Sequence, residues 1–158
     1  MQDGQLDAGD AFRRLKESLG SLMFCWCRLE DAMQDVFSSV AIGQAQDMGN
    51  SLIDRLAALE TCLIARTRGD AQLEREVGEL FARIDKVRRQ RNLIVHCLAG
   101  VSSDPAKGEP HILCVRGEGS KKKATKITQA ELFILLDNID RCRRDIGLVE
   151  FSTRPVAI

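Results

Sequence analysis

The 158-residue chain has no net charge: 23 lysines and arginines balance 23 aspartates and glutamates. A coat-like, sequence-blind DNA binder would be strongly basic, so that class is excluded. No stretch is apolar for long enough to span a bilayer. The opening residues, MQDGQLDAGD, are acidic and polar, the reverse of a secretory leader, and residues 1–9 are expected to be a flexible N-terminus of a cytoplasmic protein. No CxxC occurs among the six cysteines. Cys25 and Cys27 lie about 200° apart on a helix and cannot jointly grip one metal. In a reducing compartment the cysteines read as core fillers, with neither a metal nor a cofactor expected. There is also no Gly-rich phosphate loop, no Ser or Cys nucleophile motif, no nucleotidyltransferase signature, no internal repeat and no tyrosine.

What the sequence does contain is helical periodicity. Hydrophobic residues make up 44% and charged residues 29%, the balance of one packed domain spanning residues 1–158. Phe12, Leu15, Leu19, Leu22, Trp26, Leu29, Met33, Val36 and Val40 recur at alternating spacings of three and four. That is the seam of one long helix, interrupted at Gly20 and stopped at Gly43. After a polar loop, Ser51 and Asp54 resemble a capping box ahead of Leu52, Leu56, Leu59 and Leu63. Arg66, Arg68 and Gly69 close that second helix. Asp70 then caps a third, carried by Leu73, Val77, Leu80, Ile84, Val87, Ile94 and Leu98 up to Gly100. Residues 100–127 read as a loop (100–110) plus a β-hairpin of His111–Arg116 and Lys122–Ile127. Thr128 and Glu131 form a second capping box, and Leu132, Leu135, Ile139, Cys142, Ile146 and Val149 carry the last helix. Residues 152–158 form a C-terminal tail. The expected fold is all-α, a four-to-five-helix up-down bundle with a small β-hairpin inserted before the last helix.

Function is best sought where this pattern breaks. The seam of the third helix is apolar at every position but Arg91. A guanidinium there is costly to desolvate unless an acid or a ligand meets it, so Arg91 is either half of a structural ion pair or an anion-binding group. His96 lies at i+4 from Asn92, sharing a face within about 40°. Together with Arg88 and Arg89 the cluster offers an imidazole and several cations, the groups that phosphodiester cleavage without a metal needs. Glu30 stands on an edge of the first seam between Met23 and Phe37, and is expected to pair with Arg91 or to orient His96. Lys121, Lys122 and Lys123, with Lys126, either hold an RNA backbone or merely solubilise the hairpin. Trp26 reads as core or dimer interface, and not as a base-stacking platform. Arg141, Arg143 and Arg144 interleave with Asp137, Asp140 and Asp145 as surface ion pairs, and His111 has no evident role.

Arg91-Asn92-Leu93-Ile94-Val95-His96 resembles the R-x4-H motif of the HEPN superfamily, including the polar residue that follows the arginine. Its place late in a long helix, with a further helix behind, is similar to that family over roughly residues 10–150. Trp26-Cys27-Arg28-Leu29-Glu30 also resembles the aromatic–Leu–Glu patch of small bacterial members. The resemblance implies a metal-independent endoribonuclease of the toxin or phage-defence type, working as a homodimer with both motifs facing one cleft, and with an antitoxin protein as a further partner. Carried over, His96 is the general acid or base, Arg91 stabilises the charged transition state, and Asn92 positions phosphate or imidazole. From the residues themselves, Glu30 and Arg88 are candidate supporting groups, and Arg89, Lys121, Lys122 and Lys123 are candidate RNA-binding ones. The implied products are a 2′,3′-cyclic phosphate and a 5′-hydroxyl, with DNA not a substrate. One branch of the family carries a tyrosine two residues after the histidine, modified with AMP by its antitoxin; Leu98 stands there, which excludes that control. The alternatives are a non-catalytic HEPN-like dimer that binds nucleotide, RNA or protein, and a plain interaction bundle. Arg91 and His96 are about 140° apart on an ideal helix, so one helix does not aim both at one phosphate, and the catalytic reading requires the dimer.

Overall fold

The structure, a computed structural model, describes residues 8–40, 51–102 and 109–152. The chain is mostly helical: α1 (Ala8–Val40), α2 (Leu52–Thr67), α3 (Ala71–Cys97) and α4 (Gln129–Ser152). Between α3 and α4 lies an antiparallel sheet of β1 (Leu98–Ser102), β2 (His111–Arg116) and β3 (Lys123–Thr128), in the order β1-β2-β3. No helix of the described residues is long and apolar enough to cross a membrane. The Gly43 stop and its polar loop, most of the 1–9 and 152–158 tails and part of the 100–110 loop lie outside the described residues.

The helix boundaries follow from capping chemistry. Ser51 accepts the Asp54 N–H at 3.1 Å, satisfying one of the donors left orphaned in the first turn of α2. Its own hydroxyl donates to the Asp54 carboxylate at 2.6 Å, so the return half of that box runs to the side chain and not to the backbone. Gly69, at φ +99°, turns the chain out of α2, and Asp70 accepts the N–H groups of Gln72 and Leu73, each at 3.1 Å, to start α3. At α4 the capping box is complete: Glu131 accepts the Thr128 N–H at 2.7 Å and Thr128 Oγ1 accepts the Glu131 N–H at 3.2 Å. Arg66 stands in the last turn of α2 as expected, and it also donates across to the Val40 carbonyl at 2.9 Å, capping the last turn of α1.

The described residues gather into two compact units. One comprises α1 up to Cys25, Val87–Asp137 and hence the whole sheet. Its core is Leu15, Leu22, Val87, Ile94, Ile112, Cys114, Leu132 and Leu135, all buried. The other comprises Trp26–Lys86 and α4 from Asn138, and buries Trp26, Leu29, Leu59, Leu63, Val77, Leu80, Ile84, Ile139 and Ile146. Each fully buried aliphatic side chain contributes about 1.5–3 kcal/mol, so these stripes hold the units together. Trp26 is a core residue, as its seam position implied. Phe12 begins the seam but stays exposed, with the Lys16 ammonium 5.4 Å from its ring centroid.

The sheet corrects the sequence reading. The seam of the third helix was carried through Leu98 to a stop at Gly100, with a loop from 100. Instead α3 ends at Cys97 and the chain enters β1 directly. Val101 pairs with Ile112 and Ser102 with His111, and the register shifts between Leu98 and Gly100. That bulge lets the strand leave a helix without a connecting turn. Leu98 is therefore an exposed strand residue and not the last member of a helical stripe. The hairpin itself falls where expected, β2 at the expected bounds and β3 one residue later than expected. On α4, Arg143 and Arg144 pair with Asp140 at 3.0 and 3.2 Å, whereas Asp145 reaches across to Arg83 at 2.6 Å.

Candidate functional site

Arg88, Arg89, Arg91, Asn92 and His96 all stand on the last three turns of α3, in the unit that contains the sheet. Arg91 is half-buried, and its Nε is withdrawn from solvent, as a seam position requires. Its Nη1 donates to Asn92 Oδ1 at 3.1 Å. Consecutive helical residues diverge by about 100°, so this bond forms only because the long arginine side chain wraps around the helix toward its neighbour. The guanidinium is thereby drawn toward the face that Asn92 shares with His96. Asn92 is half-buried and His96 exposed. Beside the imidazole, Val95 and Leu98 are exposed large apolar residues.

The two histidines have opposite situations. His111 is buried, and its Nδ1–H donates to the Glu109 carbonyl at 2.8 Å, which anchors the chain entering β2. It serves structure. His96 is the histidine on which solution chemistry can act.

The other expected contributors are less close-knit. Arg88 is half-buried and Arg89 exposed, and both are already engaged in contacts within the protein. Glu30 belongs to the other unit. There it lines a small cavity of about 30 Å³ with Phe37, Arg55 and Leu59, and makes no ion pair among the described residues. Lys121, Lys122 and Lys123 are exposed at the β2–β3 tip. No group of three His, Cys, Asp or Glu residues that could hold a metal ion is present among the described residues.

Two features went unseen in the sequence. One is a pocket of about 220 Å³ on the flank of α3 away from Asn92 and His96, lined by Gln90, Leu93, Ile94, Thr125–Ile127, Glu131, Ile134 and Leu135. Its walls come from three separate elements, so no local signal marks it. The other is Arg116, set directly opposite Lys123 in the ladder; only the strand register reveals that pairing. The buried thiols Cys62, Cys114 and Cys142 are each held above the ordinary value of 9.0, chiefly by burial. That suits inert core fillers and not nucleophiles.

The chain matches no family model, no curated protein and no solved structure.

Proposed function

We propose that this protein is a metal-independent endoribonuclease of the HEPN type, an up-down helical bundle that acts in the cytoplasm as a homodimer, in the manner of a toxin or phage-defence effector. The observation that carries the reading is the Arg91–Asn92 hydrogen bond at 3.1 Å. It turns the guanidinium of a seam residue toward the side of α3 where His96 is exposed, and so narrows the 140° separation that an ideal helix sets between them. A two-fold axis beside this stretch brings a second Arg91 and His96 to the same cleft. Exposed Val95 and Leu98 supply apolar surface next to it.

In that cleft one His96 takes the proton of an RNA 2′-hydroxyl as its oxygen attacks the adjacent phosphorus. The bond to the 5′-oxygen breaks, and His96 of the second subunit returns a proton to that leaving oxygen. The guanidinium of Arg91 meets the negative charge that builds on the non-bridging oxygens, with Asn92 holding it in place. The products are a 2′,3′-cyclic phosphate and a 5′-hydroxyl. Arg88 is a positioning residue in this scheme; Glu30 is not, because the ion pair with Arg91 expected of it is not formed among the described residues. An antitoxin protein is the natural partner of such an enzyme.

A second reading, a binding module without turnover, is favoured by the prior engagement of Arg88 and Arg89. Purified protein and its His96→Ala and Arg91→Ala variants, incubated with total RNA in EDTA, separate the two. The ribonuclease reading expects cleavage by the parent protein and loss in both variants. Cleavage that His96→Ala leaves intact contradicts it. RNA bound without cleavage by the parent and His96→Ala proteins, with affinity lost in Arg91→Ala, favours the second reading.

A further inference from the structure

We infer that the β2–β3 hairpin tip is an RNA-backbone clamp; the inference rests on the ribonuclease reading. Arg116, Lys121, Lys122, Lys123 and Lys126 are all exposed, and Glu118 is the one acid within 116–126. None of the five cations forms an ion pair among the described residues. Elsewhere the protein does the opposite: Arg13 meets Asp10 and Glu17, Arg83 meets Asp145, and Arg143 and Arg144 meet Asp140.

The register sharpens the anomaly. Arg116 and Lys123 are directly opposed in the antiparallel ladder, and like charges so placed destabilise a sheet. Lysine on an edge strand does guard against unwanted strand pairing, and that accounts for Lys126 on β3. It does not account for Arg116 on the central strand, or for Lys121 and Lys122 in the turn.

The turn itself is fixed. Gly117 sits at φ +93°, where a Cβ would lie 2.7 Å from the Lys121 carbonyl oxygen, and the Lys121 N–H donates to Glu118 O at 3.1 Å. The three consecutive lysines are therefore presented on an ordered backbone, which lowers the cost of ordering them around a polyanion. Residues 116–126 include no aromatic residue and no large exposed apolar one. An aromatic platform for base stacking and an apolar wedge for a lipid surface are both missing from the tip. What remains is charge alone, which fits the phosphate backbone of single-stranded RNA read without regard to sequence.

The test uses a fluorescent uridine-only RNA and the His96→Ala protein, which binds without cutting. Affinity is measured by anisotropy from 50 to 200 mM salt, with and without Lys121→Ala, Lys122→Ala and Lys123→Ala combined. Five single-strand phosphate contacts weaken binding about 100-fold over that range, and two about 7-fold, from the slope of roughly −0.7 per contact. The clamp predicts a fall in salt dependence of that size in the triple variant. An unchanged slope overturns it. Binding of polyglutamate, or of vesicles of anionic phospholipid, as tight as that of RNA overturns the assignment of partner. The two proposals also fail separately. If cleavage by the parent protein persists while the slope is indifferent to the lysines, the clamp falls alone. If the slope responds while the parent protein never cleaves RNA, the ribonuclease reading falls alone.

Discussion

Arg91→Ala separates a functional arginine from a structural one. Removing the guanidinium loses the hydrogen bond to Asn92, made at 3.1 Å on a partly exposed surface. A bond of that kind contributes about 0.5–1.5 kcal/mol net. The three methylenes of the stem are half-buried, and their packing adds about 1 kcal/mol. Alanine and arginine have nearly equal helix propensities, so the backbone needs no correction. The bond and the stem together come to about 2 kcal/mol, to which the further contacts of Arg91 add, against a stability of about 5–15 kcal/mol for an ordinary domain, and the variant stays folded. Urea denaturation of the parent, Arg91→Ala, Asn92→Ala and the double variant closes a cycle whose coupling should be about 0.5–1.5 kcal/mol. A loss of about 4 kcal/mol or more for Arg91→Ala refutes the reasoning, because that is the cost of stranding one member of a buried ion pair. A coupling near zero refutes it too, since the bond to Asn92 would then hold nothing.

Thr128→Ala removes half of the box that starts α4 and should cost about 1 kcal/mol in urea denaturation, with little effect on RNA cleavage. Gly117→Ala forces a Cβ against the Lys121 carbonyl and a strained φ, and should destabilise by more than about 1 kcal/mol; a neutral result argues against the turn described. At neutral pH a thiol reagent should modify exposed Cys27 quickly and leave Cys62, Cys114 and Cys142 unreacted until urea is added, since thiolate is the reacting form and burial disfavours it. Rapid modification of the three buried thiols in the native protein contradicts their place in the core.

Local physics carried the sequence reading where partners are near in the chain. The stripe Leu132, Leu135, Ile139, Cys142, Ile146 and Val149 is buried throughout, and the Thr128–Glu131 box stands at its head. Strand β1 was hidden because Leu98 extends the stripe of α3 and Gly100 imitates a helix stop. Only pairing with β2, farther along the chain, turns that stretch into a strand. The Arg66–Val40 bond and the Arg83–Asp145 pair went unseen for the same reason, since their partners are remote in sequence. At the candidate site the helical wheel placed Arg91 in the seam and His96 outside it. It could not show the guanidinium turned toward Asn92, because adjacent residues on a helix ordinarily point apart.

The central claim is that RNA is cut by its own 2′-hydroxyl with His96 moving the proton. Its most direct measurement offers the parent protein, in EDTA, a single-stranded RNA and the same sequence fully 2′-O-methylated, and identifies the product ends by mass spectrometry. The account predicts cleavage of the first strand alone, with 2′,3′-cyclic phosphate and 5′-hydroxyl ends, and none by His96→Ala. Cleavage of the methylated strand, or 5′-phosphate ends, contradicts it.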